Sequence, residues 1–243
     1  PDKLRQLEEA YAHTRLQELY DGPIPGQFDY DHMKAIHAYV FQDVYEWAGQ
    51  ERVAPAGQFM TKDGHAYYGA GPHLTAGAEA EYAKLASKDY LRGLPKAKFV
   101  DELAESWGEL NVVHSFREGN TRTQFVFFSQ LAEQAGYRID AAQFAPGSPL
   151  RDEFVQARFH SQDTGRNDQL AAVLGKAITP LDRDASASRM SDNGVADALR
   201  ASFPMSARGA VRPAPTPGAN VAKRSTTQHP ERGRTDTGRS GRD

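Results

Sequence analysis

Apolar residues recur at intervals of three and four along most of the first 180 residues, which predicts a series of amphipathic helices. The first predicted helix carries Leu4, Leu7, Ala10, Tyr11 and Leu16 on one side. Asp29 is the predicted N-cap of a second helix. The apolar face of that helix, which we expect in the core, carries Met33, Ile36, Val40, Phe41, Val44 and Trp47.

Helical spacing returns after the first third of the chain. Further helices are predicted at about 73–91, at 149–160, at 166–178, and over a segment carrying Phe99, Val100, Leu103, Trp107 and Leu110. The stretch from Phe125 to Ala135 is apolar nearly all round, which is typical of a helix at the centre of a bundle, and Gly136 is its predicted end. The pattern therefore predicts an all-α fold, a helical bundle.

The segment from Gly49 to Gly71 breaks this pattern. It contains five glycines and only short apolar pieces, none with a helical period. Such a pattern favours a β-hairpin, with Lys62-Asp63-Gly64 as its turn. We therefore expect a small hairpin flap over about residues 50–71.

Composition and charge argue against several classes of function, among them nucleic-acid binding and cysteine chemistry. The net charge of −3 over 243 residues gives no support to binding of nucleic acid. The absence of cysteine excludes disulfides, thiolate metal sites and a cysteine nucleophile. No apolar run approaches the roughly 20 residues that span a bilayer, so no membrane association is expected. The chain begins at Pro1, and an upstream segment is therefore left open.

Beyond residue 180 the composition shifts to Ser, Arg, Pro, Gly, Ala, Asp and Thr. This part carries a net charge of +4, against −7 for residues 1–180. A segment so poor in large apolar residues cannot offset its ordering entropy by burial. We predict a folded domain over 1–180 and a disordered basic tail over 181–243, which is either an address or docking segment or an inert solvated tail.

The histidines outside the central motif give weak metal signals. His32 and His37 are five residues apart on one predicted helix and do not share a face, which favours packing and capping over metal ligation. His65 and His73 lie in or near the flap, where a metal remains an alternative although no third ligand is apparent.

Chemistry-bearing residues are concentrated in one stretch, VHSFREGNTRTQFVFF over residues 113–128. The pattern predicts a loop that turns at Gly119 and feeds a helix beginning near Asn120. The free N–H groups of such a helix start form an anion site, for which phosphate is a common occupant. Arg122 is placed to reach the same anion, and Glu118 offers an oxygen ligand of the kind that Mg²⁺ prefers. His114 is a candidate base.

This loop resembles the signature of the Fic family of nucleotidyl transferases, written H-x-F-x-D/E-G-N-x-R-x-x-R. The matching segment reads HSFREGNTR over residues 114–122. The likeness extends over about Leu7 to Ile178, through Phe28-Asp29, Ile36-His37, the segment FQDVYEWAG at 41–49, and Asn111.

The resemblance implies an all-helical fold with the signature loop between two central helices and a hairpin flap that aligns the target. It also implies transfer of AMP from ATP to a Ser, Thr or Tyr hydroxyl of a target protein, with loss of pyrophosphate. ATP and Mg²⁺ are the implied cofactors. Within the flap, the stretch from Gln58 to Tyr68 is the expected place of target contact.

The resemblance also implies separate roles within the loop. His114 would act as the general base on the incoming hydroxyl, and Glu118 would hold Mg²⁺ against the phosphates. Phe116 would anchor the loop in the core. The phosphate oxygens would be bound by the backbone of Gly119, Asn120 and Thr121, with help from the Asn120 side chain, and the leaving pyrophosphate by Arg122.

One position departs from the signature, because the last arginine is replaced by Phe125. Phenylalanine cannot contact a γ-phosphate, so two alternatives stand beside AMP transfer. One is a catalytically weak or inactive module that binds nucleotide or protein, and the other is an enzyme that uses another nucleotide. The inhibitory pattern of the family is also absent, with Ser129–Glu133 coming nearest. Inhibition would then come from a separate antitoxin-like partner, or be absent.

Two biological settings fit the resemblance. One is a toxin of the bacterial cytoplasm, and the other is an effector secreted into a host or recipient cell through a type IV system. Arginines in the tail are spaced in a way that resembles the export signals of type IV substrates: Arg224, Arg232, Arg234, Arg239 and Arg242.

Overall fold

The computed structural model describes residues 2–62, 64–145 and 147–181. Over these residues the chain forms seven α-helices: α1 (Asp2–Asp21), α2 (Tyr30–Phe41), α3 (Pro72–Ser87), α4 (Lys96–Val113), α5 (Asn120–Ala135), α6 (Pro149–Thr164) and α7 (Asp168–Ala177). The strands are β1 (Phe59–Lys62), β2 (His65–Tyr68), β3 (Tyr137–Ile139) and β4 (Ile178–Pro180). This confirms the predicted helical fold with a small hairpin.

Helix α5 lies at the centre of the bundle, as its apolar circumference predicted. Ten of its residues are buried, and it contacts both α2 and α4. From α4, Trp107 stacks on Phe128 with ring centroids 4.6 Å apart. The helix ends at Gly136, whose φ of 91° is a left-handed conformation that glycine adopts without strain.

Helix α2 begins as predicted and ends early. The Asp29 side chain accepts a hydrogen bond of 2.8 Å from the backbone N–H of His32, so Asp29 is the N-cap. The expectation that the helical face continues to Val44 and Trp47 is wrong, because the helix ends at Phe41. Beyond Phe41 the chain forms turns. Tyr45 lies in this segment, and its hydroxyl donates to the carboxylate of Glu8 in α1 over 2.7 Å.

The predicted flap is the antiparallel pair β1–β2, in which Phe59 pairs with Tyr68 and Lys62 with His65. Strand β2 packs against α4 and α6. From α6, the Gln162 side chain donates to the backbone oxygen of Ala66 over 2.6 Å. The flap is thus attached to the bundle along one strand.

A second antiparallel pair, β3–β4, was not predicted. Tyr137 pairs with Pro180 and Ile139 with Ile178. Strands of three residues are too short to show an alternating pattern, and the two lie about 40 residues apart in sequence. Residue Ile178, expected in the last helix, belongs to β4.

The tail predicted to be disordered lies outside the described residues from residue 182 onward. Within the described part of the chain, none of the helices combines the length and apolarity that a bilayer-spanning segment needs.

Candidate active site

The candidate site is the loop that joins α4 to α5, and His114 opens it. His114 is the C-cap of α4 in a left-handed conformation, with φ 50° and ψ 57°, and its backbone N–H donates to Leu110. The residue is half-buried. Its Nδ1 is shielded from solvent and has no hydrogen-bond partner among the described residues. The end of the helix therefore fixes the position of His114.

The surroundings of His114 keep its imidazole neutral. Burial, followed by the positive charges of Lys62, Arg52 and Arg158, lowers the pKa of His114 well below its usual range. The flap also contributes, since the ring of Tyr67 lies 4.6 Å from the imidazole, centroid to centroid. A neutral imidazole can accept a proton, which is the state that a general base requires.

Glu118 is the acidic group of the loop. Its side chain is buried, Oε1 accepts from the backbone N–H of Gly119 at 3.3 Å, and Oε2 has no partner among the described residues. Burial raises the pKa of Glu118 to about 7, and the charge of Arg122 opposes this rise. A desolvated carboxylate with an unpartnered oxygen fits a divalent cation that shares its remaining ligands with phosphates and water.

Gly119 makes the turn into α5. Its φ is 75°, and a Cβ at this position would lie 2.2 Å from a ring carbon of Phe41. Both the conformation and the close packing therefore require glycine. As the N-cap of α5, Gly119 offers no side-chain acceptor to the first N–H groups of the helix. The helix start thus keeps the donors and the positive dipole end that an anion needs.

Asn120 is placed differently from the expectation for its side chain. The Phe116 N–H donates to Asn120 Oδ1 over 2.8 Å, and Asn120 Nδ2 donates to the Phe116 oxygen over 2.6 Å. Both the oxygen and the nitrogen of the side-chain amide bond to the backbone of Phe116 and close the loop. We therefore expect Asn120 to contact an anion through its backbone N–H. Thr121 follows in the first turn of α5 and is partly exposed.

Arg122 does not stand free beside the loop. Its guanidinium forms an ion pair with Glu8 of α1, and the two side chains are only 4% and 6% exposed. It also lies 4.7 Å from the ring centre of Phe41. The arginine predicted to bind pyrophosphate therefore has a carboxylate as its partner in this structure.

His37 packs against the loop and hydrogen-bonds to it. This contact between α2 and the loop was not predicted from the sequence. Its ring stacks on Phe116 at a centroid distance of 3.9 Å, so Phe116 is anchored in the core as expected. The Gly49 N–H donates to His37 Nδ1 over 2.8 Å, and His37 Nε2 donates to the backbone oxygen of Glu118 over 3.0 Å. Burial lowers the pKa of His37 to about 3. The sequence signal was a histidine on the apolar face of α2.

The other described histidines make packing contacts and hydrogen bonds. Among residues 2–62, 64–145 and 147–181, no three His, Asp or Glu side chains come together in a way that could hold a metal ion. His32 packs and caps, with Nε2 3.0 Å from the Ile24 oxygen. His65 stacks on Phe159 and pairs with Asp163 of α6 at 2.8 Å.

Phe125, which occupies the position of the last signature arginine, points into the core. It is fully buried, with its ring centre 5.5 Å from that of Trp107 and 5.3 Å from that of Phe144. The residue is therefore part of the aromatic packing around α5 rather than of the loop surface.

Comparisons with known proteins agree with this geometry. The model of the Fic/DOC family matches residues 27–132. The chain is 37% identical over 177 residues to the protein adenylyltransferase VbhT of Bartonella schoenbuchensis, covering 73% of this chain and 35% of that protein. It is 39% identical to the probable protein adenylyltransferase Fic of Salmonella typhimurium, covering 72% of this chain and 82% of the relative.

A solved structure shares the fold. It is the N-terminal Fic domain of a putative cell filamentation protein from Bartonella quintana, described as a VirB-translocated Bep effector and solved with bound ADP. The TM-score is 0.67 at 24% identity, over 75% of this chain and 87% of that one.

Proposed function

Because this chain belongs to the Fic/DOC family, as its 39% identity to a relative that it covers to 82% shows, we propose that it is a protein adenylyltransferase. It moves AMP from ATP to a hydroxyl side chain, Ser, Thr or Tyr, of a target protein. The chain spans 35% of the length of the Bartonella schoenbuchensis relative, so the activity proposed is that of the Fic domain.

His114 supplies the base in this proposal. The target hydroxyl oxygen forms a bond to the α-phosphorus of ATP, and the bond from that phosphorus to the oxygen bridging to the β-phosphate breaks. Pyrophosphate leaves, and the hydroxyl proton passes to the neutral imidazole. The single observation that carries this assignment is the half-buried His114 beside the uncapped start of α5, where a phosphate would be bound.

The remaining loop residues bind and orient the nucleotide. The N–H groups of Asn120 and Thr121 would contact phosphate oxygens at the start of α5, and the Gly119 N–H would join them by exchanging its present acceptor, Glu118 Oε1, for phosphate. Glu118 would hold Mg²⁺, which when bound offsets charge on the phosphates. Arg122 would reach the leaving pyrophosphate by exchanging its carboxylate partner, Glu8, for phosphate oxygens.

The direct test is labelling. The purified chain with Mg²⁺ and α-labelled ATP is expected to transfer label to itself or to a protein of a bacterial or host lysate, with a mass increase that matches AMP. His114→Ala should abolish labelling, whereas His73→Ala, at an exposed position of α3, should not change it. Labelling that survives His114→Ala would refute the assigned base.

A nucleotide-binding module without transfer is the second candidate. It is favoured by two observations, the burial of Phe125 in the core and the pairing of Arg122 with Glu8, which leave fewer cations for a triphosphate. Calorimetric binding of ATP with no mass change on any protein would support it. An enzyme specific for another nucleotide would be identified by offering a panel of nucleoside triphosphates.

The proposed setting is a bacterial toxin or a secreted effector. The likeness to Fic domains of Bartonella effectors supports the second, in which a type IV system carries the protein into another cell. A separate antitoxin-like inhibitor belongs to the first. Co-purification from the source cell would reveal such an inhibitor as a stoichiometric partner.

A further inference from the structure

Arg52 connects the flap to the end of α4, through contacts with Tyr68 and His114. It lies at the base of the flap, and only 5% of it is exposed. Its Nε donates to the His114 oxygen over 2.7 Å, and its Nη2 donates to the Val113 oxygen over 3.4 Å and to the Tyr68 oxygen. Its backbone N–H donates to the Ser115 oxygen over 2.9 Å.

These contacts provide hydrogen-bond donors for carbonyl groups at the end of α4. The last carbonyl groups of a helix have no partner within the helix, and they carry the negative end of its dipole. A buried guanidinium placed there satisfies both His114 and Val113. His114 also adopts a left-handed conformation that is costly for a residue other than glycine or asparagine, so it needs support from outside.

The same guanidinium reaches the flap. Tyr68 is the last residue of β2, and its neighbour Tyr67 contacts the imidazole of His114. One side chain thus sets the spacing between the strand expected to contact the target and the group expected to take its proton.

We propose that Arg52 is a positioning residue for the proposed transfer, which holds the backbone of His114 and the end of β2 in one rigid frame. This inference rests on the proposed function for its kinetic consequence. Its structural consequence, an ordered loop at 113–116, stands independently of any activity.

Charge and geometry are separated by two substitutions. Arg52→Lys keeps the positive charge but loses the planar fork that reaches three carbonyl oxygens. Arg52→Met keeps the length of the side chain and loses both. Arg166→Met, at a side chain 70% exposed between α6 and α7, is the matched control.

We expect kcat for target labelling to fall about 100-fold in Arg52→Met and about 10-fold in Arg52→Lys, because misplacement of a catalytic group by about 1 Å costs on that order. The KM for ATP should stay within about twofold, since Arg52 does not touch the phosphate-binding start of α5. Arg166→Met should match the parent in both constants.

The pH profile separates the charge of Arg52 from its geometry. The groups whose charges act on His114 are the cations Lys62, Arg52 and Arg158, and Tyr67 packs against its ring. Loss of the Arg52 charge should raise the pKa of His114 and move the acid limb of kcat to higher pH in Arg52→Met. The limb should not move in Arg52→Lys. A lower kcat in Arg52→Lys with an unmoved acid limb therefore assigns the loss to geometry and not to charge.

Hydrogen exchange of the full chain tests the inference even if no transfer is found. Faster amide exchange at 113–116 in Arg52→Lys, with exchange in α6 unchanged, is expected. If Arg52→Met does not fold, the Lys variant decides alone. The inference would be overturned if Arg52→Lys had both an amide exchange rate at 113–116 and a kcat within twofold of those of the parent. Absence of labelling in the parent would refute the proposed function and leave the exchange result to decide for Arg52.

Discussion

The loop holds two titratable groups whose pKa values are moved in opposite directions by burial. The pKa of His114 is lowered, and the pKa of Glu118 is raised to about 7. Burial disfavours the charged form of each group, so the histidine loses its proton readily and the acid keeps it. The pair is therefore suited to accept a proton at His114, while Glu118 needs a cation to become fully ionised.

Glu118→Gln tests the cost of that buried carboxylate. The folded pKa of about 7 lies above the reference value of 4.5, so folding stability is lost as the pH rises between these values. Without metal, we expect the variant to be more stable than the parent at pH 8 by up to about 3 kcal/mol, and similar near pH 4. Thermal melts at both pH values measure this. Binding of Mg²⁺ and ATP should be lost in the variant, and equal melts at pH 8 would contradict the prediction.

Glu8→Gln tests the partner of Arg122. Removing one charge of a buried pair leaves the other uncompensated, which typically costs about 3–5 kcal/mol, and the remaining amide oxygen should reduce this loss. We expect a lower melting temperature for the variant. Because the freed guanidinium can bind phosphate oxygens, ATP should raise that temperature more than it does for the parent. Glu79→Gln, at an exposed position of α3, is the control. Equal stabilisation by ATP would assign Arg122 to structure alone.

Among the elements, α5 has to serve both the site and the core. In its first turn, the Asn120 side chain closes the loop by hydrogen bonds to Phe116. Its next turns pack aromatic side chains against α4. A helix that is buried on all sides cannot carry an uncompensated charge after its first turn without loss of packing. The replacement of the last signature arginine by Phe125 is consistent with this arrangement.

Phe125→Arg should therefore fail to create a phosphate-binding arginine. The side chain would enter the space between Trp107 and Phe144, where its charge has no partner, and we expect a loss of several kcal/mol or no folded protein. Phe125→Leu, which keeps an apolar side chain, should lose only about 1–2 kcal/mol. Urea unfolding compares the two. Full stability of Phe125→Arg together with increased labelling would contradict this account.

At the scale of the whole molecule, histidines that are shielded from water make stability depend on pH. Burial lowers the pKa values of His32, His37 and His114, and His37 joins α2 to the loop before α5. A base whose folded pKa is depressed loses stability as the pH falls below its unfolded value of about 6.5. The raised pKa values of Glu118 and Glu81 act in the opposite direction over an overlapping range.

His37→Gln isolates one of these contributions. The substitution removes the stacking on Phe116, so it should lower stability at pH 7.5. Its cost should shrink by about 2 kcal/mol at pH 5, because the imidazole of the parent is then protonated in the unfolded chain but not in the folded one, whose pKa is about 3. The parent therefore loses stability at pH 5, and the variant has no imidazole at this position to cause such a loss. Urea unfolding at the two pH values measures the difference. A cost for His37→Gln that is equal at both pH values would contradict the prediction.

Much of the fold was predictable from local sequence. The periodicity of apolar residues predicted the helices, and Asp29 and Gly136 marked ends that the structure confirms. The turn residues predicted the flap, and the motif at 114–122 predicted the family, which the comparisons confirm. These signals are readable because each depends on residues within a few positions of one another.

The sequence by itself determined which helices form, where the loop turns and which chemical groups it carries. Only the tertiary structure decided what surrounds those groups. Arg122 meets Glu8 across 114 positions, and Arg52 meets His114 across 62. Contacts of this kind depend on how helices pack, and pKa values depend on the resulting loss of water, so neither leaves a local pattern in the chain. From the sequence, Phe125 was only a departure from the signature. The packing of the helices shows that it is part of the core.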